Sequence, residues 1–350
     1  MTSEATETPQ DTGPRIQWNG THEYIVAPLS DTFAVVAKYL HKSIEVSEAN
    51  GREEKILVIL PTDRSASLMY ELISALHPKV PIPIFQLHCR IPGSERIRIT
   101  DELNQIRSAV VFSSDVMASK TSFNAVGSVI HVGVPATAQQ YIHCLHHITC
   151  GEYRSLLVIS PYERFFLREH IIRNILTFHR KTAGLSSDSL DPWRRRTADA
   201  MNHVSPCLKA QTYTAFLGYY KSMAKRAGLS TVQLVAIAND YVLRTLRYES
   251  PDKKPPALLE NAVRQMGLRG HPGLNVVKSP GDASVTGRGS YVFKTADLWG
   301  SGYKDYSVLK IRNPKAIRRK VARASKAGGA SGKGKKGQKR SDVCSQDTRT

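Results

Sequence analysis

The sequence predicts an α/β fold: one parallel-sheet domain, then a small all-α extension and a largely disordered basic tail. Three observations predict it. Apolar runs of strand length alternate with helical spacing from Glu23 to about residue 170, the pattern of a parallel sheet covered on both faces. Past that point the strand-like runs stop and only helical spacing remains. Between Val308 and Arg340 every charged residue is basic, with glycine, alanine and serine in the gaps.

In chain order, residues 1–19 are polar and aperiodic and are expected to be disordered. Tyr24–Ala27 reads as a strand, and Asp31–Ile44 as a helix with Phe33, Val36, Tyr39 and Leu40 on one stripe. Lys55–Leu60 carries a continuous apolar run, as in a strand buried on both faces. Pro61 and Thr62 end it, and Ser65–Leu76 reads as the next helix. Ile84–His88 is a short strand and Pro92–Gln105 a helix with its proline early, followed by strands at Ala109–Phe112, Val129–Val132 and Leu156–Ile159. Arg96 and Arg98 fit a phosphate contact and the solvated face of that helix equally well. Ligands of such sheets sit on the loops after the strands' carboxyl ends. Those loops are Pro61-Thr62-Asp63, His88-Cys89-Arg90, Ser113-Ser114-Asp115 and the segment leading to Tyr141. Further on, Thr212–Lys225 and Thr231–Tyr248 read as helices, the second capped by Ser230 or Thr231, and Ala257–Met266 as a third. The expected organisation is a sheet domain at 20–172, a linker at 173–199, a helical extension at 200–278 and a tail at 279–350.

A net charge of +19 favours polyanions, nucleic acid first and an anionic membrane surface second. No apolar run approaches the roughly eighteen residues a membrane span needs, so no membrane partner is expected. Glu4, Glu7 and Asp11 precede the first arginine, Arg15, which is wrong for a transit peptide and too polar for a signal peptide. Five scattered cysteines suggest a reducing compartment without a disulfide framework. The tail, with Arg318, Arg319, Lys320, Lys335 and Lys336 at its densest points, stays extended until a polyanion neutralises it.

The stretch Tyr141–Gly151 organises the site. On a helix, His143, His146, His147 and Cys150 fall at i, i+3, i+4 and i+7 on one face, and nitrogen and sulfur are donors that zinc accepts. No C-x-x-C pair elsewhere completes a structural site, and no metal is expected.

The loops also carry a resemblance. Ile56–Thr62, Leu87-His88-Cys89-Arg90 with Ser94–Thr100, Ser113–Ala118, Val129–Pro135 and Gln140–His143 resemble, in order and spacing, motifs IV to VI of the second RecA-like domain of DEAD-box RNA helicases. Leu217-Gly218-Tyr219-Tyr220 and Met266-Gly267-Leu268-Arg269-Gly270 look like the helical extension of that family's fungal mitochondrial branch. The resemblance implies RNA as partner, ATP as cofactor and mitochondria as compartment, although no transit peptide is visible and a cytoplasmic location is the other reading. It also implies backbone-type RNA contacts through Thr62, Arg90, Ser113 and Ser114.

The departures bear on function. Where motif V continues Ala-Arg-Gly-x-Asp, this chain has Ala118-Ser119-Lys120-Thr121-Ser122, so Ser119 and Ser122 replace the arginine and the carboxylate. Where motif VI has its three arginines, this chain has Cys144, His147 and Cys150, so decay of that motif accounts for the His/Cys cluster. Such arginines are worth about 10³–10⁵ in rate in phosphoryl transfer, and neither cysteine nor a fractionally charged histidine offers the same fork. The 350 residues contain no G-x-x-x-x-G-K-[ST] phosphate loop and no Asp-Glu-Ala-Asp box. The expectation is a non-catalytic RNA binder with a degenerate nucleotide site, no catalytic residue and no bound cofactor. The alternatives are a piece of an ATP-dependent helicase completed by a separate first domain or held in a ribonucleoprotein, and a relic without function.

Overall fold

The protein is described by a computed structural model covering residues 21–121, 123–145, 154–178 and 187–278. Its centre is a fully parallel sheet in the order β3-β4-β2-β5-β6-β1-β7. The strands are β1 (Thr21–Val26), β2 (Lys55–Leu60), β3 (Ile84–Leu87), β4 (Ala109–Ser114), β5 (Val126–Val132), β6 (Arg154–Ile159) and the two-residue β7 (Thr177–Phe178). The middle strand, β2, is buried at all six positions, as its apolar run predicts. Its five apolar side chains each contribute about 1.5–3 kcal/mol of burial. Lys55, which opens the strand, is also enclosed, and its Nζ donates to the Asn124 carbonyl at 2.9 Å.

Helices cover both faces. One face carries α1 (Thr32–Ala49) and α2 (Asp63–Ser74); the other carries α3 (Gly93–Gln105), the short α4 (Asp115–Ala118) and α5 (Ala138–Leu145). Helix α1 buries Phe33, Val36 and Leu40 as its stripe predicts, but also Thr32, Ala34, Val35, Ala37 and Ile44, while Tyr39, also on the stripe, is only half-buried. The band is wide because α1 is covered on its outer side by α7 (Ser187–His203).

The strand-like runs do not end at residue 170. Strand β7 pairs with β1, and the strands β8 (Leu258–Leu259) and β9 (Val276–Val277) pair with each other. Two residues are too few to show a period, so the sequence pattern does not reveal them. The expected linker at 173–199 likewise holds the end of α6 (His170–Ile175), β7 and most of α7. Helix α7 escapes the pattern because its sequence is polar and contains Pro192. It is anchored by Arg194, whose Nε and Nη2 donate to both Asp31 carboxylate oxygens at 2.8 and 2.7 Å, and by Trp193, 4.8 Å from the His41 ring.

Beyond it, α8 (Pro206–Met223) packs on α2 and α9 (Thr231–Asp240) on α8, continued by a wider turn at Tyr241–Thr245 and followed by α10 (Glu260–Gln265). Ser230 caps α9 through a reciprocal pair with Gln233. One continuous hydrophobic cluster runs from Ile25 through Phe33, Leu72 and Tyr213 to Leu268, so sheet and extension share a core. Among the described residues no helix is long and apolar enough to cross a membrane. The N-terminal stretch 1–19 and the tail from 279 lie outside the described residues.

Candidate nucleic-acid and nucleotide site

The site is built on the carboxyl ends of β2, β3, β4 and β5. After β2, Thr62 caps α2: its Oγ1 accepts the Ser65 N–H at 3.1 Å and its own N–H donates to Ser65 Oγ at 3.1 Å. The helix therefore starts at Asp63, two residues before the sequence suggests, with Thr62 half-buried at its entry.

Side chains lace the neighbouring loops together. Ser113 Oγ donates to the Leu87 carbonyl at 2.7 Å, Ser114 Oγ donates to Asp63 Oδ1 at 2.5 Å, and Ser67 Oγ lies 2.8 Å from His88 Nε2. Ser113 and Ser114 are 0% and 1% exposed, and the hydroxyl bonds of both run inward to neighbouring segments.

Arg90 stays half-buried at the rim of the same loop. Arg96, for which the sequence leaves a phosphate contact and the solvated helix face open, is a brace: its Nη1 donates to the carbonyls of Cys89 and Ile91 at 3.0 and 2.7 Å, fixing the turn that carries Arg90. Arg98 does lie on the solvated face, between Glu95 and Glu102.

Burial holds the His88 imidazole down at about 4 despite Asp63 nearby, and lowers His22 to about 4. Both lie below the unfolded value of about 6.5, so the fold keeps them neutral. Stability from this source is complete above about pH 6.5 and is lost as pH falls from there toward about 4. Urea unfolding should show this: between pH 7.5 and 5, His88→Gln is expected to lose about 2 kcal/mol less stability than the wild type. An identical pH dependence in the two would contradict it.

At the motif V and VI positions, Ser119 is half-buried and donates its hydroxyl to the Val116 carbonyl at 3.0 Å, while Lys120 is exposed. His143 is exposed on α5, with Nε2 3.0 Å from the Ser119 carbonyl, joining α5 to the end of α4. Cys144, one residue on, is turned into the core. It is 0% exposed and belongs to the apolar cluster of Ile59, Ala118 and Val129. Ser122, His146, His147 and Cys150 lie outside the described residues, as do Arg318, Arg319, Lys320, Lys335 and Lys336.

The extension closes the other end of the site. Tyr219 Oη donates to the Val134 carbonyl at 2.7 Å, Arg226 Nη1 to the Ala136 carbonyl at 3.1 Å, and Thr212 Oγ1 to the Arg64 carbonyl at 3.3 Å. Buried Glu163 is the hub. One carboxylate oxygen accepts the Val134 N–H at 3.0 Å and the Tyr220 hydroxyl at 2.5 Å, and the other accepts the Ser160 N–H at 2.6 Å. Burial raises its pKa, and these donors pull it back. Gly133 beside it has φ +76°, and a Cβ there would stand 3.0 Å from Pro61 and 3.1 Å from Tyr220 Oη. Sequence reasoning does not single out Glu163, although Ser160-Pro-Tyr-Glu163 has the Ser-x-x-Glu spacing of a capping box.

This fold and loop inventory define a helicase C-terminal domain: residues 35–146 match the family model described as helicase conserved C-terminal domain. It is of the DEAD-box kind. The chain is 32% identical over 253 residues to DEAD-box ATP-dependent RNA helicase 31 of Oryza sativa subsp. japonica, covering 72% of this chain and 43% of the relative. It is 29% identical over 264 residues to the mitochondrial ATP-dependent RNA helicase MSS116 of Phaeosphaeria nodorum, covering 73% and 46%. The chain thus spans less than half the length of these relatives. Among solved structures, domain 2 of the DEAD-box helicase Mss116p, bound to an RNA duplex, superposes with a TM-score of 0.57 at 18% identity, over 73% of this chain and 96% of that one. The shared fold therefore includes the helical extension as well as the sheet.

Proposed function

We propose that this chain is a non-catalytic RNA-binding protein derived from a DEAD-box helicase, its nucleotide site lost and its RNA contacts of the backbone type. The observation that carries the reading is Cys144. At a position where the family motif has arginine, this chain has an uncharged side chain packed into the core, so that position offers no cation to a phosphate. Ser119, at another arginine position, spends its hydroxyl on its own helix turn. The net charge of +19 and the unbroken basic run from Lys310 to Arg340 favour RNA as partner, and relatives with solved structures are bound to RNA. Thr62 and Arg90, both half-buried at the ends of β2 and β3, are the loop groups assigned to an RNA backbone in this reading.

The alternative, a helicase piece completed by a first domain in trans, makes an opposite prediction. Restoring His147→Arg and Cys150→Arg, with Cys144 left in place to preserve the core, should change RNA affinity by less than about threefold under our reading. ATP turnover should stay absent, with or without an added helicase first domain. Turnover that appears on restoration, or that the unaltered chain shows with a first domain, would overturn the proposal.

A further inference from the structure

Behind the site, on the core side of α5, lies a group of side chains that none of the roles above uses. Asp115 opens α4, His131 is the sixth residue of β5 and Cys144 is in the last turn of α5. All three are buried, at 4%, 1% and 0% exposure. One ligand atom from each, a carboxylate oxygen, a ring nitrogen and the thiol sulfur, lies within 4.8 Å of the other two. It is the one such group among the described residues.

Packing alone does not account for it. Asp115 Oδ2 and both nitrogens of His131 are shut away from solvent without a hydrogen-bond partner. Each such atom costs about 1–3 kcal/mol if nothing meets it. His131 is held by its ring, 4.7 Å from that of Tyr141, which fixes the imidazole without satisfying its nitrogens. Three elements thus deliver one oxygen, one nitrogen and one sulfur to a single dry spot, and two of the three carry orphaned polar atoms.

We propose that Asp115, His131 and Cys144 bind one Zn²⁺ ion. An O, N, S donor set is one that zinc accepts, and three protein ligands leave a fourth tetrahedral position for a water. On binding, the Cys144 thiol releases its proton to solvent and the sulfur joins the metal as thiolate. The ion ties the end of β4, through α4, to β5 and α5. This site is distinct from His143, which is exposed on α5 while Cys144 is buried.

The test uses the full chain, stripped with chelator and titrated with Zn²⁺ and, as a spectroscopic probe, Co²⁺. We expect one equivalent to bind, a thiolate-to-cobalt charge-transfer band with strong tetrahedral d–d absorption, and a rise in Tm on adding zinc. Cys144→Ser and Asp115→Asn are each expected to weaken binding by more than about 100-fold, while the His147→Gln/Cys150→Ser double variant binds as the wild type does. Urea unfolding without metal establishes that each variant is folded. Should Cys144→Ser not fold, X-ray absorption on the zinc-loaded wild type decides: one sulfur at about 2.3 Å with nitrogen and oxygen at about 2.0–2.2 Å is expected. No stoichiometric binding, a metal shell with no sulfur or with two, or binding lost only in the His147→Gln/Cys150→Ser variant would overturn the assignment.

Discussion

RNA binding by the full chain is expected to fall by about 10³–10⁵ between 50 and 200 mM salt, the response of a protein that neutralises about 6–10 phosphates. Thirteen lysines and arginines stand between Val308 and Arg340 with no acid among them, more than enough for that number. Each cation that meets a phosphate releases condensed counterion, and that release is cancelled as bulk salt rises. For single-stranded RNA, each phosphate left unneutralised should reduce the slope of log affinity against log salt by about 0.7. Truncation before Val308 therefore removes most of the slope, whereas Arg90→Ala frees at most about one phosphate. Filter binding of both variants at several salt concentrations separates the contributions. A truncated chain with an unchanged slope would place binding on the sheet loops, and salt-insensitive binding would sink the electrostatic account altogether.

Glu163→Ala is expected to cost about 3–5 kcal/mol of stability, read by urea unfolding. Its carboxylate accepts the Val134 and Ser160 N–H groups and the Tyr220 hydroxyl inside the fold. Hydrogen bonds to a charged group are worth about 1.5–3 kcal/mol, and each buried donor left without an acceptor costs about 1–3 kcal/mol. Tyr220→Phe removes one donor and leaves the two backbone bonds, so about 1–2 kcal/mol is expected. The two changes share a network, and their effects should not add. A loss under about 0.5 kcal/mol in Glu163→Ala would show that the hub does not hold the β5 and β6 loops to α8.

The sheet is legible in the sequence because its strands carry their own signal. Lys55–Leu60 and the other long strands are buried enough to read as apolar runs, and Ser230 sits where its chemistry requires a cap, whereas the Thr62 cap is missed. The site is legible only as positions. Spacing puts Cys144 on the right helix and Ser113 and Ser114 on a loop, where they are in fact the last two residues of β4, and it cannot say which way any of them faces. That is decided by partners distant in the chain: Leu87 for Ser113, Asp63 for Ser114, and Ile59 and Val129 for Cys144. Arg96 misleads for the same reason, since a brace to the two carbonyls of a preceding loop has no periodicity. The Asp115, His131 and Cys144 group joins three elements and leaves no local trace at all.

The inward turn of Cys144 also acts as a ratchet on what the chain can become. A single base change separates its codon from arginine, but the side chain that would return is far longer and carries a charge. It would enter a space already closed by Ile59, Ala118 and Val129. Overpacking of that kind costs about 1–3 kcal/mol before any charge is counted. An ion pair formed with Asp115, whose carboxylate lies within 4.8 Å of the Cys144 sulfur, would have to repay both penalties at once. Neighbours would need to shrink before the arginine could be accepted, so the route back demands several coordinated substitutions where the route out needed one.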